Sequence, residues 1–182
     1  MSQVGELNAQ MQVKDVVNAL IHESDDVYLP MLALQKQQVV QVGTGFFHEG
    51  SLRGMLGLDQ TRGLLALRES LSGGTQVVEG NGRKATMKYH GSSSKIRTEI
   101  EEGEPVFHIA VTCKVGIAEM EDSLEKAMTK EFYSILEEKT SQQLKAQIES
   151  AIAWAVKENQ CDIFRFGNAL RKQDTAFWKE HR

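Results

Sequence analysis

A long alternating segment followed by a long helical segment constrains the fold of this chain more than any other feature. From Phe107 to Ile117 every second residue is apolar, except that Cys113 takes one place, and this is typical of a strand with one buried face. From about residue 122 to 158 apolar residues recur at helical spacing, without glycine or proline. A helix of that length extends roughly 50 Å and a strand of a dozen residues roughly 40 Å, so the two match.

The matching lengths predict an α+β fold. Its economical form is a twisted, mainly antiparallel β-sheet wrapped around one long α-helix, with a short C-terminal helical tail. Asp59 is well placed to cap a helix over 60–71, Asn81-Gly82 is a strong hairpin signal, and Ser92-Ser93-Ser94 indicates a turn. Amphipathic spacing predicts a further helix over 11–22. Alternation predicts strands over 29–34, 39–47, 51–56, 75–79, 84–90 and 94–101.

Charge and hydropathy exclude two classes of function. The formal net charge of -4 argues against a nucleic-acid surface, which needs a concentrated positive field. No apolar run approaches the ~20 residues that span a bilayer. The first residues carry neither a basic region nor an apolar core, so no signal peptide is indicated. Taken alone, this pattern indicates a cytoplasmic protein.

The side chains that carry chemistry do not form a recognisable catalytic or metal-binding pattern. The five histidines lack zinc-ligand spacing, and the glycines near Gly43 are not followed by the lysine of a phosphate loop. Cys113 and Cys161 are predicted to be free buried thiols, since Cys113 falls on an apolar strand face. No cofactor, metal or catalytic residue is therefore assigned, although a catalytic set assembled by the fold stays open.

The C-terminal tail is unusually aromatic. Asp162 is well placed to cap a helix that begins directly after it, and Gly167 inside that helix would cost about 1 kcal/mol relative to alanine. Phe164 and Phe166 lie on different faces of such a helix, and Trp178 needs a pocket of its own. A clasp over the core is the favoured interpretation; an aromatic surface for a partner protein is the alternative.

Two blocks of residues resemble a known family. The tail block is Asp-Ile-Phe-x-Phe-Gly at 162–167, followed by Arg171-Lys172 and Trp178-Lys179. The strand block is Gly-Thr-Gly-Phe-Phe at 43–47, Leu-Arg-Gly at 52–54 and Thr-Arg-Gly at 61–63. Their order and spacing are similar to those of the Ger(x)C spore germination proteins, the C subunits of nutrient germinant receptors. The resemblance implies a structural or partner-binding role for Gly43, Thr44, Phe46, Gly54, Thr61, Arg62, Gly63, Asp162, Phe164, Phe166, Gly167 and Trp178.

The chain departs from the family pattern in several places. Arg165 stands where glycine is usual, Gly45 stands where alanine is common, and Asp174-Thr175 lies where the family has a proline. The family's signal peptide and lipobox cysteine are missing. We therefore expect a soluble fragment, with 1–37 as the remainder of a preceding domain and 38–182 as the Ger(x)C-like C-terminal domain.

The resemblance also implies a function. The full-length parent would be a lipoprotein on the outer face of the spore inner membrane, working with the integral-membrane A and B subunits in germinant detection. It would not be an enzyme and would act through protein contacts, without nucleic acid. A module that binds the germinant directly is the first alternative, and an envelope hydrolase is the second.

Overall fold

The computed structural model of the chain describes residues 14, 16–17, 26–120 and 129–181. The predicted helix over 11–22 falls mostly outside these residues. Along the described chain the strands come first and the long helix follows them. The elements are β1 (Val27–Gln35), β2 (Gln38–His48), β3 (Ser51–Leu56), α1 (Leu58–Leu67), β4 (Thr75–Gly80), β5 (Arg83–Glu101), β6 (Glu104–Met120), α2 (Lys130–Ile152), α3 (Phe166–Gln173) and α4 (Thr175–His181).

The strands form two antiparallel sheets, and the predicted α+β class is confirmed. One sheet has the order β1-β2-β3 and the other has the order β4-β5-β6, so every pairing joins strands that are neighbours along the chain. Tight turns explain this order: Asn81 and Gly82 take φ of 52° and 72° between β4 and β5. Such values favour glycine and asparagine, and they allow a two-residue hairpin.

The strand β5 corrects one expectation. The predicted turn at Ser92-Ser93-Ser94 is wrong, because β5 continues through these serines and pairs with β6 from Ala85 to Glu101. The register shifts between Tyr89 and Gly91. Such an irregularity accommodates a change of register without ending the strand. These serines contact the segment that follows α1: Ser92 Oγ accepts a hydrogen bond from Leu71 N at 3.2 Å, and Ser94 N donates to Glu69 Oε1 at 2.8 Å.

The start of α1 also differs from the prediction. Gly57, in an extended conformation, precedes the helix, and its N–H donates to Gln60 Oε1 at 3.1 Å. Asp59 is therefore in the first turn and is not the N-cap. A carboxylate in the first turn still stabilises the positive end of the helix dipole.

The helix α2 contributes buried side chains to two hydrophobic clusters, which together form the core. Thr129 caps it by accepting from Phe132 N at 3.2 Å, and a π-helical turn, Ala153–Glu158, continues it. The predicted helix is thus confirmed from 130 onward; its expected first residues lie outside the described chain. Its buried side chains recur every three or four residues: Phe132, Leu136, Thr140, Leu144, Ile148 and Ala151.

Two hydrophobic clusters result from this arrangement. The smaller packs Phe132 and Leu136 of α2 against β4 and β5. The larger joins α1, the second half of α2, the β1-β2-β3 sheet and the C-terminal tail, with Phe46 and Phe164 among its most buried members. The tail is thus part of the main core.

The expected domain boundary at 37/38 falls in the turn between two paired strands. Pairs run along β1 and β2 from Val27↔Phe47 to Gln35↔Gln38, and Tyr28 is buried in the larger cluster. The division of the chain at this point stays a prediction.

The backbones of α1 and α2 approach each other at Gly63. A Cβ placed there would lie 2.6 Å from the carbonyl carbon and oxygen of Gln147 and 2.7 Å from Ile148 N. These atoms belong to the helix backbone and do not turn aside as a side chain does. A glycine is therefore required where the two helices cross.

Gly63→Ala should lower the free energy of unfolding by about 2 kcal/mol. Alanine gains about 1 kcal/mol of helix propensity, but separating the helices costs more than that gain. Urea denaturation measures the change. Gly91→Ala is the matched control, since a Cβ at Gly91 meets none of the described residues within 4 Å. Equal effects at both positions would contradict the close approach.

Candidate functional site

The strand block connects β2 to α1 through a buried polar contact. Thr61 Oγ1 donates to Thr44 Oγ1 at 3.0 Å, and both residues are fully buried. A buried hydroxyl without a partner would be destabilising, so each threonine satisfies the other. The pair fixes the register of the helix against the strand.

Arg62 is a buried cation that joins α1 to the second sheet. Its guanidinium donates to Asp59 Oδ1 at 2.8 Å and to the Thr75 carbonyl at 3.1 Å, and lies 6.0 Å from the centroid of the Tyr89 ring. Burial raises the pKa of Tyr89 to about 12, against the opposing effect of the Arg62 charge. Tyr89 thus stays a neutral hydrogen-bond donor, and it donates to Gln76 Oε1 at 2.8 Å.

The glycines of the strand block make room for Phe46 and for the neighbouring backbone. A Cβ at Gly54 would lie 2.5 Å from the Phe46 ring, and one at Gly43 would lie 2.3 Å from the Leu56 carbonyl oxygen. Phe46 is fully buried as a result. In the structure, this block is a packing centre.

The tail block corrects the predicted helix start. The helix α3 begins at Phe166, after Arg165 in a left-handed conformation with φ of 67°. Asp162 still caps it, from four residues back: its carboxylate accepts from Phe166 N at 3.0 Å and Gly167 N at 2.7 Å. Ile163 and Phe164 of the intervening loop are both buried. Gly167 lies in the first turn and not in the helix interior.

Asp162 also belongs to a polar network that the sequence did not indicate. Its own N–H donates to Asp26 Oδ2, and Asp26 Oδ1 lies 2.8 Å from His48 Nδ1. Burial raises the pKa of Asp162, hydrogen bonds from Gly167 and Phe166 oppose this, and the Asp26 charge adds to the rise. No local motif contains these three residues, since 22 and 136 positions separate their pairs along the chain.

The thiol of Cys161 lies beside this network. It is fully buried, contacts the Phe47 carbonyl oxygen at 3.6 Å, and interacts with Asp26. Burial and the Asp26 charge raise its pKa, so the thiol stays protonated and unreactive at neutral pH. Cys113 is also a free thiol, as predicted, but it is half-buried and not buried as expected.

The tail aromatics divide into two groups. Phe164 and Phe166 are buried, with ring centroids 5.5 Å apart, and Phe166 lies 4.9 Å from Phe107 of β6. They share the larger cluster with Phe46, so the two blocks meet in one core. Trp178 is only half-buried and lies 5.9 Å from the Arg171 guanidinium. The phenylalanines fit a clasp over the core, and Trp178 lies outside the cluster.

One group of side chains has the residue types of a metal site. Glu99, Glu101 and His108 carry ligand atoms within 4.8 Å of one another on the β5–β6 pair. All three are exposed, and exposed acidic groups commonly occur together without an ion. The cluster therefore receives no metal assignment.

The fold and the two blocks together define a class of protein: an α+β domain of the spore germination proteins. The family described as "Spore germination B3/GerAC like, C-terminal" matches residues 42–182, and the chain belongs to it. The resemblance of the two blocks to this family is thereby confirmed.

Two known proteins show how the chain relates to longer ones. Spore germination protein B3 of Bacillus subtilis (strain 168) is 27% identical over 140 residues, which make up 76% of this chain and 37% of that protein. A crystal structure of the GerBC protein shares the fold, with a TM-score of 0.80 and 20% identity over 96% of this chain and 55% of the other. The chain thus spans about a third of the first protein and about half of the second. Among the described residues, no helix has the length and apolar character needed to cross a membrane.

Asp162→Ala should lower the free energy of unfolding by about 2 kcal/mol, because two N–H groups lose their buried acceptor. Chemical denaturation checks this value. Asp174→Ala is the control: Asp174 Oδ1 accepts from Phe177 N at 2.9 Å near the C-terminus, where the loss should stay below about 1 kcal/mol. A smaller loss at Asp162 than at Asp174 would contradict the role of the cap.

The raised pKa of Asp162 predicts a dependence of stability on pH. The folded state holds this proton more tightly than the unfolded state, whose pKa is near 3.8. The contribution of the carboxyl is therefore most favourable below that value and falls as pH rises through the folded-state pKa. Asp162→Asn does not titrate, so the unfolding free energy of the native chain minus that of the variant should decrease between about pH 4 and pH 7. A constant or rising difference would contradict the raised pKa.

Proposed function

We propose that this chain is part of a non-catalytic subunit of a spore nutrient germinant receptor and acts in germination through protein contacts with the A and B membrane subunits. Family membership supports the setting. The proposal that the chain acts through protein contacts rests on an apolar surface of the β1–β2 hairpin.

The β1–β2 hairpin extends beyond its neighbour β3. Strand β3 pairs with β2 only from Thr44 to His48, so the other half of the hairpin has no third strand among the described residues. On this extension Leu32, Leu34 and Val39 are 62%, 75% and 68% exposed. Leu34 pairs with Val39, and Leu32 lies two residues before Leu34 on the same side of β1. We call these three residues the hairpin face.

The hairpin face has the character of an interaction surface. Single exposed apolar residues are common, but neighbouring ones rimmed by polar residues mark sites of association. Here the rim is the turn Gln35-Lys36-Gln37-Gln38, which carries one charge. A partner that buries these side chains would gain free energy without having to strip many charges of water.

The groups around His48 argue against covalent catalysis by a thiol. His48 and Asp26 form a pair of the kind that hydrolases use, but the thiol beside it, Cys161, is buried and protonated. A cysteine hydrolase needs an accessible thiolate within reach of its base. Structural polar bonds are the simpler interpretation of this network.

The location is also part of the proposal, and family membership supports it. The full-length parent would be anchored by lipid to the outer face of the spore inner membrane, the membrane that would hold the A and B subunits. No cofactor enters this mechanism.

Leu34→Ser combined with Val39→Ser in the full-length protein should reduce co-purification with the A and B subunits at least fivefold. The unfolding free energy should change by less than about 1 kcal/mol, since both side chains are exposed. Val77→Ser is the matched control: Val77 is 49% exposed on β4, in the other sheet, and should leave co-purification unchanged. Undiminished co-purification of the double variant would refute a contact through the hairpin face.

A further inference from the structure

An open groove of about 480 Å³ lies where the end of α1, strand β5 and the helix α3 meet. It is remote in sequence from the hairpin face, and Phe164, Arg165 and Lys172 of the tail block are part of its lining. Its volume is in the range of sites that bind small molecules, roughly 300–1,000 Å³. The groove is therefore large enough for a ligand of metabolite size.

Three cations line the groove: Arg68, Arg165 and Lys172. One carboxylate faces them, that of Glu69, whose Oε1 accepts a hydrogen bond from Ser94 N at 2.8 Å. The groove thus has a formal charge of +2 in a chain whose net charge is -4. A concave surface lined by charge of one sign raises the local concentration of ions of the opposite sign.

Apolar side chains form another part of the lining. Leu67 and Phe164 are almost fully buried, and Ile96 of β5 is half-buried beside them. Cationic groups and an apolar surface in one groove suit a ligand with an anionic group on an apolar body.

Arg165 presents its charge directly to the groove. Its side chain is exposed and lines the groove. Its φ of 67° is a left-handed conformation that glycine adopts more readily than a residue with a Cβ. Seven other non-glycine residues of the described chain also have positive φ, so the conformation itself does not mark a site.

We propose that this groove binds a small organic anion, with a carboxylate or phosphate group held by Arg165 and Lys172 and an apolar body resting on the half-buried Ile96. Arginine is suited to this because its planar guanidinium donates two parallel hydrogen bonds to such groups. Arg68 adds positive charge to the groove, while its guanidinium lies 5.7 Å from the centroid of the Tyr28 ring. This binding activity is independent of the protein contacts proposed above and adds to them.

The probes are matched pairs that differ only in charge. N-Acetyl-L-leucine, 4-methylpentanoate and isobutyl phosphate are compared with the corresponding amides and the neutral phosphate ester, by calorimetry and thermal denaturation of the whole chain. At least one anion should bind tenfold or more tightly than its neutral partner and raise the melting temperature. If no anion binds better than its neutral partner, the proposal is overturned.

Arg165→Gly separates binding from folding. It removes a cation and also relieves the left-handed strain, so the melting temperature should stay the same or rise while anion affinity falls at least fivefold. Lys36→Gly is the matched control, because Lys36 is also a cation at positive φ, 46°, in the β1–β2 turn outside the groove lining. Its affinity should stay within twofold of the native chain.

Three further results distinguish specific binding in the groove from non-specific attraction and from the docking of a peptide. Equal losses of affinity in Arg165→Gly and Lys36→Gly would show non-specific attraction and overturn the site. Lys172→Gln should also lower affinity at least threefold, which tests the groove without changing the backbone at 165. Binding of an acidic peptide, Ac-Glu-Leu-Glu-Leu-NH₂, with no binding of the small anions would make the groove a protein-docking surface and contradict the proposal.

Discussion

The close approach of α1 and α2 at Gly63 is the constraint on which the remaining packing depends. With the two helix backbones in contact, Thr61 reaches Thr44 on β2, and Arg62 reaches Thr75, the first residue of β4. The first contact attaches the β1-β2-β3 sheet to α1, and the second attaches the β4-β5-β6 sheet. The sequence Thr61-Arg62-Gly63 thus joins both sheets to the long helix α2. It can do so because successive residues on a helix point in different directions.

The tail completes this core from the other end of the chain. Asp162 satisfies two N–H groups of α3, and the loop after it inserts Phe164 next to residues of α1 and β2. Capping and burial are coupled here, because the carboxylate holds the loop in the conformation that buries the ring. The tail block therefore contributes to packing in this structure, whereas a role in partner binding stays a prediction.

Much of the fold was predictable because its signals are local. The alternation from Phe107 to Ile117 and the helical spacing after it come from neighbouring residues, and β6 and α2 follow from them. The contacts between Asp26, His48 and Asp162 were not predictable, since they join residues that only the tertiary fold brings together. The start of α3 was missed for a different reason. Arg165 takes a left-handed conformation that its residue type disfavours, and a rule based on residue preferences places the helix start too early.

The course of β1 has a consequence for how the protein behaves at high concentration. Its outer edge has no neighbouring strand among the described residues, and an unpaired apolar edge is a template for intermolecular sheets. Pro30 interrupts the edge because it has no N–H to donate, and the register shift between Met31 and Leu32 bends the strand soon afterwards. Side chains of the hairpin can therefore stay apolar while the backbone resists the growth of fibrils.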